Sequence, residues 1–123
     1  MKKWIGLLLM LTWFFANAQN NSSFEEAKAF ERQYNTPQAI LKYEEALKAN
    51  PNQMAILVRL VEIYCFGLEA DKDESTKIIQ LNKAKDYLIK ARNIDSTQAD
   101  YLYSKAVYLG KLIEVSPVKE KAQ

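Results

Sequence analysis

Chemistry at a protein site needs groups that exchange protons, attack as nucleophiles or hold a metal, and this chain carries few of them. None of its 123 residues is histidine, which removes the commonest general base and the commonest metal ligand. Cys65 is the one cysteine, so metal sites built on thiolate pairs are excluded, as is an internal disulfide. It falls in an apolar stretch and reads as a small core residue, the alternative being a reactive or intermolecular thiol. Carboxylates are more plentiful: Glu25 with Glu26, Glu44 with Glu45, and the run Asp71, Asp73, Glu74. Adjacent positions on a helix do not face each other, and the acidic run lacks the glycine and ligand spacing of a calcium loop, so these groups read as solvated faces. With three glycines in all, no phosphate-cradling loop can be written. The expectation is a protein that is not an enzyme and that uses no cofactor or metal.

Residues 1–18 address location rather than chemistry. Lys2 and Lys3 precede an apolar run from Trp4 to Phe15, and Ala16-Asn17-Ala18 follows, the three regions of a secretory signal peptide with cleavage expected before Gln19. The run of 12 residues is shorter than the ~20 that span a bilayer as a helix, which disfavours a retained anchor. No cysteine near the cleavage site suggests a lipid anchor. The expected location is the periplasm of a Gram-negative cell or the outside, with no integral membrane span in the mature chain. Removing the segment takes away two of the 17 basic residues and leaves them equal to the 15 acidic ones. A balanced chain has no general attraction to phosphate backbones, so nucleic acid is not an expected partner.

The elements that would position any site are helices. Hydrophobic residues make up 49% of the chain, with only three prolines to interrupt them, a composition that favours long helices over many short strands. Phe24, Ala27, Phe30 and Tyr34 recur at helical spacing and predict a helix over Phe24 to Tyr34. Thr36 as cap and Pro37 as first residue open a second helix, to Ala49, with Ala39, Tyr43, Ala46 and Leu47 on one stripe; Pro51 ends it. A third, Gln53 to Phe66, presents Leu57, Leu60, Val61 and Tyr64, with Gly67 as its stop. After a charged loop, Asp73 or Ser75 caps a fourth over Lys77 to Asn93, whose stripe is Leu81, Ala84, Leu88 and Ala91. Asp95-Ser96 caps a fifth, Thr97 to Ile113, with Ala99, Leu102, Ala106, Leu109 and Ile113 as its stripe.

These helices repeat. Ala39, Tyr43, Ala46 and Pro51 form a small, large, small and proline series at offsets of four, three and five, and Ala84, Leu88, Ala91 and Ser96 follow the same intervals. In the first helix of the second copy, Leu57, Leu60, Val61 and Tyr64 fill the matching large and small positions, and a third copy begins with Leu102, Ala106 and Leu109. The pattern resembles the tetratricopeptide repeat, in about two and a half copies over residues 20–53, 54–98 and 99–123, within one domain at 19–123. The resemblance implies an all-α solenoid of antiparallel helix hairpins, the alternative being a helical bundle without repeats.

The resemblance also implies a concave surface lined by first helices. Its positions fall on Phe24, Lys28 and Arg32, on Val58, Glu62, Cys65 and Phe66, and on Asp100, Tyr103, Val107 and Lys111. An apolar strip interrupted by charges suits a peptide or partner helix; the competing reading makes Phe24, Val58 and Tyr103 simple core. The function this implies is a protein-binding adaptor of the cell envelope, the alternative being a structural or end-capping subunit of a larger envelope complex with an obligate interface. So short an array leaves its ends uncovered. Either the residues after Ser116 fold back over one end, or two chains stack end to end as a homodimer.

Overall fold

The computed structural model describes residues 22–67 and 72–115. The signal segment at 1–18, most of the charged loop after Gly67 and the chain after Ser116 lie outside those residues. All regular structure among the described residues is helical: α1 (22–32), α2 (Thr36–Ala49), α3 (Met54–Phe66), α4 (Glu74–Ile94) and α5 (Ala99–Val115). The all-α class is therefore observed. Among the described residues no helix is long and apolar enough to cross a membrane. The chain divides into two compact units, meeting in sequence between Gln53 and Met54.

In the first unit α1 and α2 pair through small residues. Ala27, Ala39 and Ala46 are fully or almost fully buried, and the absence of bulk there lets two helix backbones approach. Tyr43 fills the space left between them. Its ring lies 6.0 Å from that of Phe24, tilted by 57°, and its buried hydroxyl donates to Glu31 Oε2 at 2.8 Å, so the one polar atom of a large core residue is satisfied. Lys42 adds an exposed bridge to Glu26 at 3.0 Å.

The turn between them departs from the expected boundaries. Helix α1 stops at residue 32, and Tyr34 takes a left-handed backbone with φ 56°. The Asn35 N–H donates to the Phe30 carbonyl at 2.9 Å and that of Tyr34 to Glu31 at 3.0 Å, the paired bonds of a Schellman motif. Asn35, not Thr36, is the cap of α2: its Oδ1 accepts from the Gln38 N–H. Pro37 then sits within the first turn, where no N–H is missed. At the other end the Ala46 carbonyl accepts from the Asn50 N–H at 3.1 Å, and the Gln53 side-chain amide adds bonds to the carbonyls of Ala46 and Asn50, at 3.0 and 2.9 Å, which secures the end of the helix.

In the second unit α3, α4 and α5 each contact the other two. Helix α3 is the most enclosed: Ile56, Leu57, Val58, Leu60, Val61, Tyr64 and Cys65 are all buried, the two-sided burial that its wide apolar surface requires. It ends at Phe66, and a Cβ on Gly67 would meet the Ile63 carbonyl oxygen at 2.9 Å. Helix α4 begins at Glu74, three residues before the expected Lys77, because Asp73 caps it, accepting from the Thr76 N–H at 2.6 Å and the Ser75 hydroxyl at 2.8 Å. The stripe Leu81, Ala84, Leu88 and Ala91 is buried as expected.

Helix α5 turns differently from the expected stripe. The buried positions are Tyr101, Ser104 and Tyr108, while Ala99, Leu102, Ala106, Leu109 and Ile113 are all exposed. Ser104 is fully buried and its hydroxyl donates to the Val58 carbonyl at 3.4 Å. A small residue between two tyrosines lets α5 close on α3, and the tyrosine rings fill the flanks. The helix starts at Ala99 rather than Thr97, because Asp95 accepts from both the Thr97 N–H, at 2.8 Å, and its hydroxyl, at 2.6 Å, and holds that residue in a turn.

Candidate protein-docking surface

The positions expected to line a concave surface fall into both units. In the first, Phe24 is half-buried against Tyr43, Lys28 lies over the Phe24 ring at 4.7 Å and pairs with Glu25 at 3.6 Å, and Arg32 is exposed. In the second, Val58 is only 6% exposed and receives the Ser104 bond, so it is core. Glu62 pairs with Arg59 at 2.9 Å on the same helix, and Lys111 with Glu114 at 2.8 Å. Phe66, 58% exposed, and Tyr103 do face solvent, as does Asp100, while Val107 is half-buried.

The second unit brings Val58, Glu62, Cys65 and Lys111 towards one another where α3 meets α5. Cys65 is free and fully buried. Burial pushes its thiol up to about 11, the Lys111 charge opposing that shift and Glu62 adding to it. Such a thiol is protonated at neutral pH and is a poor nucleophile. Burial likewise raises the neighbouring Tyr108 phenol. Among the described residues no cluster of His, Cys, Asp or Glu is arranged to hold a metal ion.

A surface that the sequence reading did not single out lies along the α4–α5 hairpin. Lys85, Leu88, Ile89 and Arg92 from α4 and Tyr101, Lys105, Tyr108 and Leu109 from α5 line a groove of about 190 Å³. Its α4 residues follow intervals of three, one and three, which place all four on one helical face. Leucine, isoleucine and the sides of two tyrosines make the floor, and three cations stand along it.

Those cations differ from Lys83 and Lys90 of α4. Lys83 lies over the Tyr64 ring at 5.6 Å and Lys90 over the Tyr87 ring at 5.4 Å, contacts in which the ring face attracts the ammonium. The side chains of Lys85, Arg92 and Lys105 have no ion pair, hydrogen bond or ring contact among the described residues. Beside the groove runs the aliphatic face of α5, with Leu102 at 51% and Ile113 at 62% exposure. The groove thus sets an apolar floor between flanking cations. The signal available in the sequence was the seven-residue interval between Lys85 and Arg92, flanking Leu88 and Ile89.

A family model, Regulator of microtubule dynamics protein 1-3, matches residues 23–123. No curated protein and no solved structure is detectably similar to the chain. The family match overturns the tetratricopeptide resemblance. The reason is physical: small residues let two helices approach, a large one fills the space beside them and proline stops a helix in any fold, so Ala39, Tyr43, Ala46 and Pro51 specify a tight hairpin without specifying that family's repeat. Their burial supports the hairpin alone.

Proposed function

The chain belongs to the family of Regulator of microtubule dynamics protein 1-3, and from this premise we propose that it acts as a protein-interaction module, holding a peptide or a partner helix without transforming it. The observation that carries this reading is the open aliphatic face of α5. Leu102, Leu109 and Ile113 stand on a well-formed helix with their side chains largely in solvent, and an exposed apolar stripe of this kind favours association. The family description names regulation of microtubule dynamics; what we carry to this chain is the coarser part, a protein partner. The same proposal places the chain outside the cytoplasm, on the strength of Lys2, Lys3, the apolar run and Ala16-Asn17-Ala18. The family match, which begins at residue 23, leaves that segment outside the shared domain.

Affinity capture from the cells that make the chain tests the reading, with the wild-type chain and a Leu102→Asp, Ile113→Asp variant as parallel baits. A partner held by the first and released by the second supports it; equal retention removes the α5 face from recognition. Mass determination of the chain isolated from the same cells gives a mature protein beginning at Gln19 if export proceeds as proposed, and an intact start if it does not.

A second reading draws on the same exposed stripe. The chain is then a structural or end-capping subunit whose α5 face is an obligate interface, with a second copy or another subunit upon it. Sedimentation across a wide concentration range separates the two. A binder stays monomeric, whereas an obligate subunit associates or precipitates.

A further inference from the structure

We propose that the α4–α5 groove is a docking site for an acidic amphipathic helix of another protein, whose apolar side chains lie on Leu88, Ile89 and Leu109 while its carboxylates meet Lys85, Arg92 and Lys105. This rests on the protein-interaction reading above and names the chemistry of the partner. The groove is bounded by two long helices, and no α3 residue lines it, so a further helix can lie along it against both walls. Lys85 and Arg92 are seven residues apart on α4, about two turns or roughly 10 Å along the axis. A partner helix bearing carboxylates at the same interval matches them in register.

Charge decides among occupants. Three cations with no bonded acidic side chain line one apolar floor, and an acidic segment complements their charge while covering the floor. The chain's own final residues do not have this character, since Lys119 and Lys121 outweigh Glu120. Lys2 and Lys3 have the wrong sign as well. An anionic membrane shares the charge but is flat, whereas the apolar floor lies between two helices.

The experiment uses the chain from Gln19 onward and three probes: a labelled amphipathic helical peptide with Leu on one face and Glu flanking it, the same peptide with Lys for Glu, and vesicles of phosphatidylglycerol in phosphatidylcholine. Binding is measured by anisotropy, or by co-sedimentation for vesicles, for wild type, for Lys85→Glu with Lys105→Glu, and for Leu102→Asp with Ile113→Asp. Circular dichroism confirms that all three are folded. The proposal expects the acidic peptide to bind at least about tenfold more tightly than the basic one, with the preference weakened by salt and reversed in the charge variant. Equal binding of both peptides, lost in the α5 aspartate variant but not in the charge variant, overturns the proposal and leaves the broader protein-binding reading standing. Vesicle binding without peptide binding also overturns it, as does binding of neither probe; in those cases the capture experiment decides the broader reading separately.

Discussion

Helices α4 and α5 lie side by side in one unit, and each carries an aliphatic stripe at helical spacing, yet only α4 buries its own. Leu81, Ala84, Leu88 and Ala91 are enclosed, while Leu102, Leu109 and Ile113 of α5 stand in solvent and Tyr101, Ser104 and Tyr108 take the interior. The difference comes from what each crossing needs. Helix α4 meets its neighbours through alternating alanine and leucine, which gives both close approach and bulk on one face. Helix α5 closes on α3 through Ser104, and its tyrosines supply the bulk with their polar tips at the edge. A stripe of aliphatic residues therefore marks a face that gains from being covered. It does not say that the chain itself covers it.

The largest expected effect follows from that contrast. Leu81→Ala should cost about 2–4 kcal/mol in urea unfolding, since it empties a filled position between packed helices, whereas Ile113→Ala should change stability by no more than about 0.5 kcal/mol. Similar losses at both positions would erase the distinction between the helices. Next comes the crossing point. Ser104→Leu should lose about 1–3 kcal/mol by forcing α5 away from α3, and Ser104→Ala less than about 1 kcal/mol, because the hydroxyl bond to Val58, at 3.4 Å, is long. A tolerated leucine would show that the tyrosine face is not the packed one.

A smaller change of opposite sign is expected outside the second unit. Tyr34 is 94% exposed and holds a left-handed backbone, so Tyr34→Gly should stabilise the chain by about 1 kcal/mol by relieving a conformation that non-glycine residues disfavour. The smallest effect is on pH dependence. The Thr76 side chain and N–H hold the Asp73 carboxyl below its ordinary value of 3.8, and Thr97 does the same for Asp95. A carboxylate with a lowered folded-state value adds stability that is present above its unfolded value and is lost as pH falls through the folded one. Acidification below about pH 4 should thus loosen the start of α4 and the turn between α4 and α5 first, an effect readable by amide exchange of Thr76 and Thr97, and Asp73→Asn should flatten the response at Thr76.

Much of this fold is legible in the residues. The buried stripes of α2 and α4 follow from the spacing of small and large side chains, and α3, apolar on more than one side, buries its stripe together with Ile56, Val58 and Cys65. Helix α5 has two candidate faces, and ranking by hydropathy favours leucine and isoleucine over tyrosine and serine, which is why its buried face was not the expected one. The start of α2 lies one residue early because Asn35 rather than Thr36 makes the cap, and that of α4 three residues early because Asp73, one of the two expected caps, is followed directly by the helix. The α4–α5 groove was not legible, since it exists only once two helices distant in role are placed together. Nor could spacing separate the tetratricopeptide pattern from tight helix pairing in general.

The account turns on the aliphatic face of α5 being open in the folded chain. Urea unfolding of the Leu102→Asp, Ile113→Asp variant, read by circular dichroism against wild type, tests this most directly. The account predicts a midpoint and slope within experimental reach of wild type, a change under about 0.5 kcal/mol for each position. Loss of several kcal/mol, or a chain that no longer folds, would show that these residues belong to a core and would contradict it.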